Sequence, residues 1–251
     1  MNRAPSWPAL LFLAAALLSG CAHQGRHRTS DHALFLEESR RSFEESRAPY
    51  QTTGRMQLAG PGYRHLFDFS LRWESPARSR LDLTGPLGLT LASAAVGDTL
   101  AWLSVPMAGI FLKGSTSAMD SESTKWLGFP ADAFFMYLEG WPQLAADVAP
   151  RAKADKGLVE YRYDFNDTSF SLWLDRCDGM PRKLSASVSG RVFLEAAFAE
   201  HRPFGAGLRP HRLTLAAPAR EVSLEVEFDE LRKAKSFPPG TWLPPEAPKS
   251  E

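Results

Sequence analysis

Two periodicities divide the chain. In HLFDFSLRWE, Phe67, Phe69, Leu71 and Trp73 alternate with Asp68, Ser70 and Arg72, which places four large apolar side chains on one face of an extended strand. RLDLT repeats the alternation with Leu81 and Leu83, and the turn from Glu74 to Ser79 predicts that the two runs pair as antiparallel neighbours. The same period returns from Leu158 to Leu231. FSLWLD alternates Phe170, Leu172 and Leu174, and KLSASVSG, RVFLEAAF and HRLTLA continue the sheet. EVSLEVEF sets Val222, Leu224, Val226 and Phe228 against Glu221, Ser223, Glu225 and Glu227. One buried face and one wet face is the signature of antiparallel sheet.

Helical spacing occurs in two places. Asp31 to Arg47 reads as a helix capped by Asp31, stopped by Pro49 and carrying Glu37 and Arg41 as an i,i+4 pair. After Phe129-Pro130, the residues Phe134, Tyr137, Leu138 and Trp141 fall at i, i+3, i+4 and i+7, with Gly140 and Pro142 to end the helix over Ala131 to Glu139. That stripe faces either an ordinary core or an apolar cavity. Between these parts, Leu87 to Leu112 holds one charged residue, Asp98. Gly97-Asp98 and Pro106 punctuate it, so strands joined by turns fit better than a spanning helix. One turn in this region is unusual: in LTGPLGLTLA, Leu87 stands on a tip between Gly85-Pro86 and Gly88, where an apolar residue has no evident place in the core.

The start of the chain carries Arg3, an apolar stretch from Ala9 to Leu18, and then Leu18-Ser19-Gly20-Cys21. The apolar stretch is too short to cross roughly 30 Å of hydrocarbon. Residues 1–20 are expected to be a signal peptide and Cys21 a lipidated cysteine, acylated with fatty chains such as palmitate. Two or three chains make anchoring stable. Ala22 rather than Asp follows the cysteine, which favours the outer over the inner membrane. Residues 21–30 then form a polar linker, 31–236 the folded domain and 237–251 a proline-rich tail. The tail is expected to run extended over the surface or to be disordered, a docking role for Trp242 being the alternative.

Charge adds little: 29 Lys and Arg balance 29 Asp and Glu, so no nucleic-acid partner is expected. Catalytic signatures are absent, including His-Glu-x-x-His, Gly-x-Ser-x-Gly, Ser-x-x-Lys and a Walker loop. His23, His27 and His32 lie in or near the linker and His65, His201 and His211 are isolated, so neither a metal nor another cofactor is expected. Cys177, in Asp175-Arg176-Cys177-Asp178-Gly179, has acidic neighbours that disfavour a thiolate and reads as a turn residue. A non-enzymatic protein is expected.

The order of YQTTGRMQL, RLDLTGPLG and WLGFPADAFFMYLEGWP, from Tyr50 to Pro142, resembles the LolB family of outer-membrane lipoprotein receptors and, more broadly, the LolA/LolB-like lipoprotein carriers. WLDRCDGMPRKL is a weaker likeness. The resemblance implies a mainly β, α+β fold: an incomplete antiparallel β barrel closed by a helical lid, with an apolar cavity for the acyl chains of client lipoproteins. Phe69, Leu71, Trp73, Leu83, Phe134, Tyr137, Leu138 and Trp141 become its candidate lining, and Leu87 the candidate membrane contact. The implied protein is a monomer on the periplasmic face of the outer membrane, anchored through Cys21, that takes lipoproteins from a periplasmic carrier and inserts them into the bilayer. Departures from the pattern between Leu184 and Phe228, and the extra tail, leave open whether the cavity takes another lipid. The rival readings are a structural or assembly lipoprotein that holds protein partners and a hydrolase with a divergent site.

Overall fold

The computed structural model describes residues 31–75, 77–115, 135, 137–142 and 149–244. Helix α1 (His32–Glu45) starts where predicted: the Asp31 carboxylate accepts from the backbone N–H of Ala33 and Leu34, removing two of the donors that a helix start leaves unpaired. Its surface ion pair differs from expectation. Arg40, not Arg41, reaches Glu37, at 2.9 Å and i,i+3 spacing.

Fourteen strands follow among the described residues, all in one sheet. The first half comprises β1 (Tyr50–Gly60), β2 (Tyr63–Ser75), β3 (Arg78–Thr84), β4 (Thr90–Val96), β5 (Ala101–Val105) and β6 (Ile110–Gly114). The second comprises β7 (Arg151–Asp155), β8 (Leu158–Phe165), β9 (Thr168–Asp175), β10 (Pro181–Val188), β11 (Arg191–Phe204), β12 (Gly207–Ala217), β13 (Val222–Phe228) and the short β14 (Arg232–Lys233). Neighbours in sequence pair as hairpins from β1 to β6 and from β7 to β13, β14 adds a short pairing to β1, and β1 joins the halves by pairing with β13 from Gly54↔Phe228 to Ala59↔Ser223. The strand path begins at β6 and ends at β7, and it does not close on itself. The mainly β, incomplete antiparallel barrel is thus observed. Of the expected lid helix over Ala131 to Glu139, only Phe135 and 137–139 are described, as helix.

Register decides which face is buried. Met56 lies opposite Phe67 and Val226, Leu71 opposite Leu81, and Leu213 opposite Val226, so the apolar sets of adjacent strands share one side. This concave face carries one continuous core, and α1 packs into it with Phe35 and Phe43. The Tyr161 hydroxyl donates to the His32 carbonyl at 2.7 Å, tying the helix start to β8. Gly54 permits the densest crossing: a side chain there would collide with the Glu227 carbonyl and the Phe69 ring, which lies across β1 against Phe228 at 5.6 Å.

The tail departs from its expected surface course. Residues Pro239–Trp242 form a 3-10 turn and Trp242 is buried on the convex side of the sheet. The Trp102 indole donates to the Trp242 carbonyl at 2.9 Å and Arg80 donates to the Thr241 carbonyl at 3.1 Å. Proline bars the tail from the strand ladder, as expected, but two aromatic rings and two side-chain donors dock it all the same.

Candidate functional site: an apolar concave face and an exposed leucine turn

Seven of the eight candidate lining residues fall on described positions, and all seven belong to the concave core or pack against it. Phe69, Leu71 and Trp73 point inward from β2, and Leu71 is 0% exposed. Leu83, on the neighbouring strand, is half-buried and sits at the margin, where Leu58, Ala94 and Phe170 also lie. Tyr137 and Leu138 face the same core from the helical segment. Trp141 follows just past its end, with its ring 5.3 Å from that of Phe43. Gly140 ends the helix as expected: at φ 92° it donates its N–H to the Tyr137 carbonyl. Phe134 lies outside the described residues, as does Cys21.

One group of polar residues is buried beside this face: Glu139, Arg209 and Ser46. Arg47, just past α1, holds Glu139 with two hydrogen bonds, one of them 3.0 Å from Nη2 to Oε2. Arg209 stacks its guanidinium 4.0 Å over the Phe43 ring and donates to the Ser46 hydroxyl at 2.9 Å, which in turn donates to the Phe43 carbonyl. Burial pushes the Glu139 carboxyl upward and outweighs the opposing pull of Arg47. Burial likewise raises the Tyr50 hydroxyl, whose ring stacks on Trp73 at 5.5 Å. This pair of charges ties α1 to the helical segment, and nothing in it resembles a nucleophile beside a base.

The margin of the sheet behaves in the opposite way. Leu87 is 97% exposed, at the tip of the Pro86–Gly88 turn between β3 and β4, and its backbone is left-handed at φ 65°. Glycine and asparagine accept that conformation readily, whereas a leucine is strained in it. A residue that neither packs nor suits its backbone directs attention to function. The sequence identified this tip but not a second one: Met107, in the Pro106–Ala108 turn between β5 and β6, is 84% exposed. Pro106 marked the turn in the sequence, but its place relative to Leu87 emerges only from the strand order. For Trp242 the sequence offered docking only as the alternative and did not name its partner, because Trp102 is 140 residues distant.

Among the described residues no group of His, Cys, Asp and Glu side chains could hold a metal ion, and no helix is long and apolar enough to cross a membrane. Cys177 occupies a turn, as read, where the Asp175 carboxylate accepts its backbone N–H at 2.8 Å.

No family model and no curated protein sequence matches the chain. Solved structures do. A LolA-superfamily protein from Nitrosomonas europaea superposes with a TM-score of 0.59 at 14% identity, over 83% of this chain and 97% of that one. An outer membrane lipoprotein-sorting protein domain from Vibrio parahaemolyticus gives 0.61 at 14% identity, over 83% and 94%. A DUF1329 family protein from Desulfovibrio piger gives 0.62 at 9% identity, over 85% and 98%. With the open sheet, its apolar concave side and the helix set into it, these likenesses identify the fold of this chain as that of the LolA-like proteins.

Proposed function

We propose that the protein is a non-enzymatic, lipid-anchored carrier on the periplasmic face of the outer membrane. It receives the acyl chains of client lipoproteins against the concave face and passes them into the bilayer. The observation that carries this reading is the division of apolar side chains in a LolA-like open barrel: a continuous inward set around Phe69, Leu71, Trp73 and Tyr137, and a strained leucine exposed at the sheet's end. The lipobox pattern ending at Cys21 supplies the anchor in this reading. No cofactor is needed, because transfer runs downhill wherever each acceptor binds the chains more tightly than its donor.

The test has two steps. A labelled lipoprotein is offered from its periplasmic carrier to the protein, and its passage into liposomes is then followed. The parent completes both steps, and Leu87→Glu completes the first but not the second, because a carboxylate opposes entry into the bilayer interface. Failure of the parent to bind an acyl probe or accept a lipoprotein would refute the carrier reading and leave the scaffold. Normal delivery by Leu87→Glu would remove the turn from the mechanism.

A further inference from the structure

Strand directions place the β1–β2, β3–β4 and β5–β6 turns at one end of the sheet, and the β2–β3 and β4–β5 turns at the other. Leu87 and Met107 therefore project from the same end. Their hairpins lie side by side through Ser93↔Ser104, so the two turns stand about two strand spacings, roughly 10 Å, apart across the sheet. Both turns open with a proline and have a glycine of positive φ just after the apolar tip, 72° at Gly88 within the first and 62° at Gly109 just past the second. Around them Leu89, Ile110, Phe111 and Leu112 are exposed as well.

Charge is distributed in keeping with this. From Thr84 to Leu112 the only charged residue is Asp98, which sits in the β4–β5 turn at the opposite end and is paired with Arg78 at 2.6 Å. Both tips and strands β4 and β5 are thus uncharged, and the charged residues of β3 (Arg78, Arg80, Asp82) and of β6 (Lys113) stand back along the strands from the tips. An exposed apolar grouping of this kind marks a contact surface.

We propose that the Leu87 and Met107 turns together form one bilayer-contacting edge, with the lipid surface as its occupant. The inference rests on the reading of Leu87 as a membrane contact and extends it to a second hairpin. Two separate knuckles favour fluid hydrocarbon over a protein partner: they present points, not a groove or a plane, and a protein would need a matched pit for each. Because Thr84 stands opposite both Asp68 and Thr90, the turns step back across the sheet from β1–β2 through Leu87 to Met107. A membrane touching both tips lies oblique to the strands. Since neither tip is charged, the contact is apolar, independent of anionic lipid and of salt.

The experiment uses the full chain in a Cys177→Ser background, reconstituted in phosphatidylcholine vesicles, with a single environment-sensitive fluorophore on Leu87→Cys, Met107→Cys or Thr99→Cys. Thr99 is exposed in the turn at the far end and serves as the reference, and the Cys177→Ser parent gives the baseline. The expected result is blue-shifted emission at 87 and 107, with most of that signal lost when the lipid carries brominated acyl chains. Position 99 stays water-like, and high salt changes nothing. Labelled variants that melt at the parental temperature show that the fold is kept. A lipid-quenched 87 beside a water-like 107 overturns the two-turn edge and leaves the single contact standing. Water-like emission at both sites overturns the membrane-contact reading itself. Quenching at 107 alone, equal quenching at 99, or loss of quenching in high salt each overturns the paired apolar edge.

Discussion

A leucine at φ 65° with its side chain in water opposes both the backbone and the hydrophobic effect, and that makes Leu87 informative where a buried leucine would not be. Asparagine tolerates the left-handed region and is polar, so Leu87→Asn should unfold at the same or a higher temperature, with a gain of up to about 1 kcal/mol, while delivery to liposomes is lost. A drop in melting temperature would show that the side chain supports the fold after all. His201 gives a prediction of another kind. Its imidazole is half-buried against Arg182, which donates to Nδ1, and burial first, then that guanidinium, lower its pKa from 6.5 to about 4. Between those values the unfolded chain takes up a proton that the folded chain refuses. The stabilising contribution is complete above pH 6.5 and falls away as the pH drops toward 4. Urea midpoints measured across this window should decline in the parent and decline less in His201→Gln. Equal slopes would show that the imidazole does not titrate in this way.

At the scale of elements, β2 and β3 separate packing from binding. Leu71→Ala removes a fully buried side chain and should cost about 2 to 5 kcal/mol in chemical denaturation. Leu83→Ala, at the half-buried margin of the same face, should cost under about 1.5 kcal/mol but weaken binding of an acyl probe several-fold. If Leu83→Ala leaves probe affinity unchanged, the face is core throughout. The docked tail makes a comparable claim: Trp242→Ala uncovers Trp102 and Arg80 and should lower stability by about 3 kcal/mol or more, visible as enhanced quenching of Trp102 by acrylamide. The period-2 strands were legible in the sequence because one side of each is wet, and Asp31 and Pro49 bounded α1 through local chemistry alone. Docking of the tail was legible only as an alternative at Trp242, since composition shows that proline cannot join a ladder and says nothing of a tryptophan pocket built from distant strands. The Glu37 pair was misassigned because i,i+3 and i,i+4 partners both reach across a helix face, and the side-chain geometry selected Arg40.

For the whole molecule, the proposed anchor and the proposed contact edge differ in kind. Acyl chains on Cys21 would supply nearly all the membrane affinity, so Cys21→Ala should move the protein from the membrane pellet to the soluble fraction despite Leu87 and Met107. A mutant that stays with membranes after a high-salt wash would reveal another anchor. The sheet's topology also orders events as the chain is made. β1 is flanked by β2 on one side and by β13, nearly the last strand, on the other. Local hairpins can form as soon as their residues are available, but Phe69 meets Phe228 across Gly54 only when the chain is almost complete. The middle of the barrel is therefore among the last parts to assemble, and closing so long a loop makes folding slow for a protein of this size. Until then the apolar side of β1 and β2 lacks β13 as cover, and an unfinished chain is open to aggregation through it.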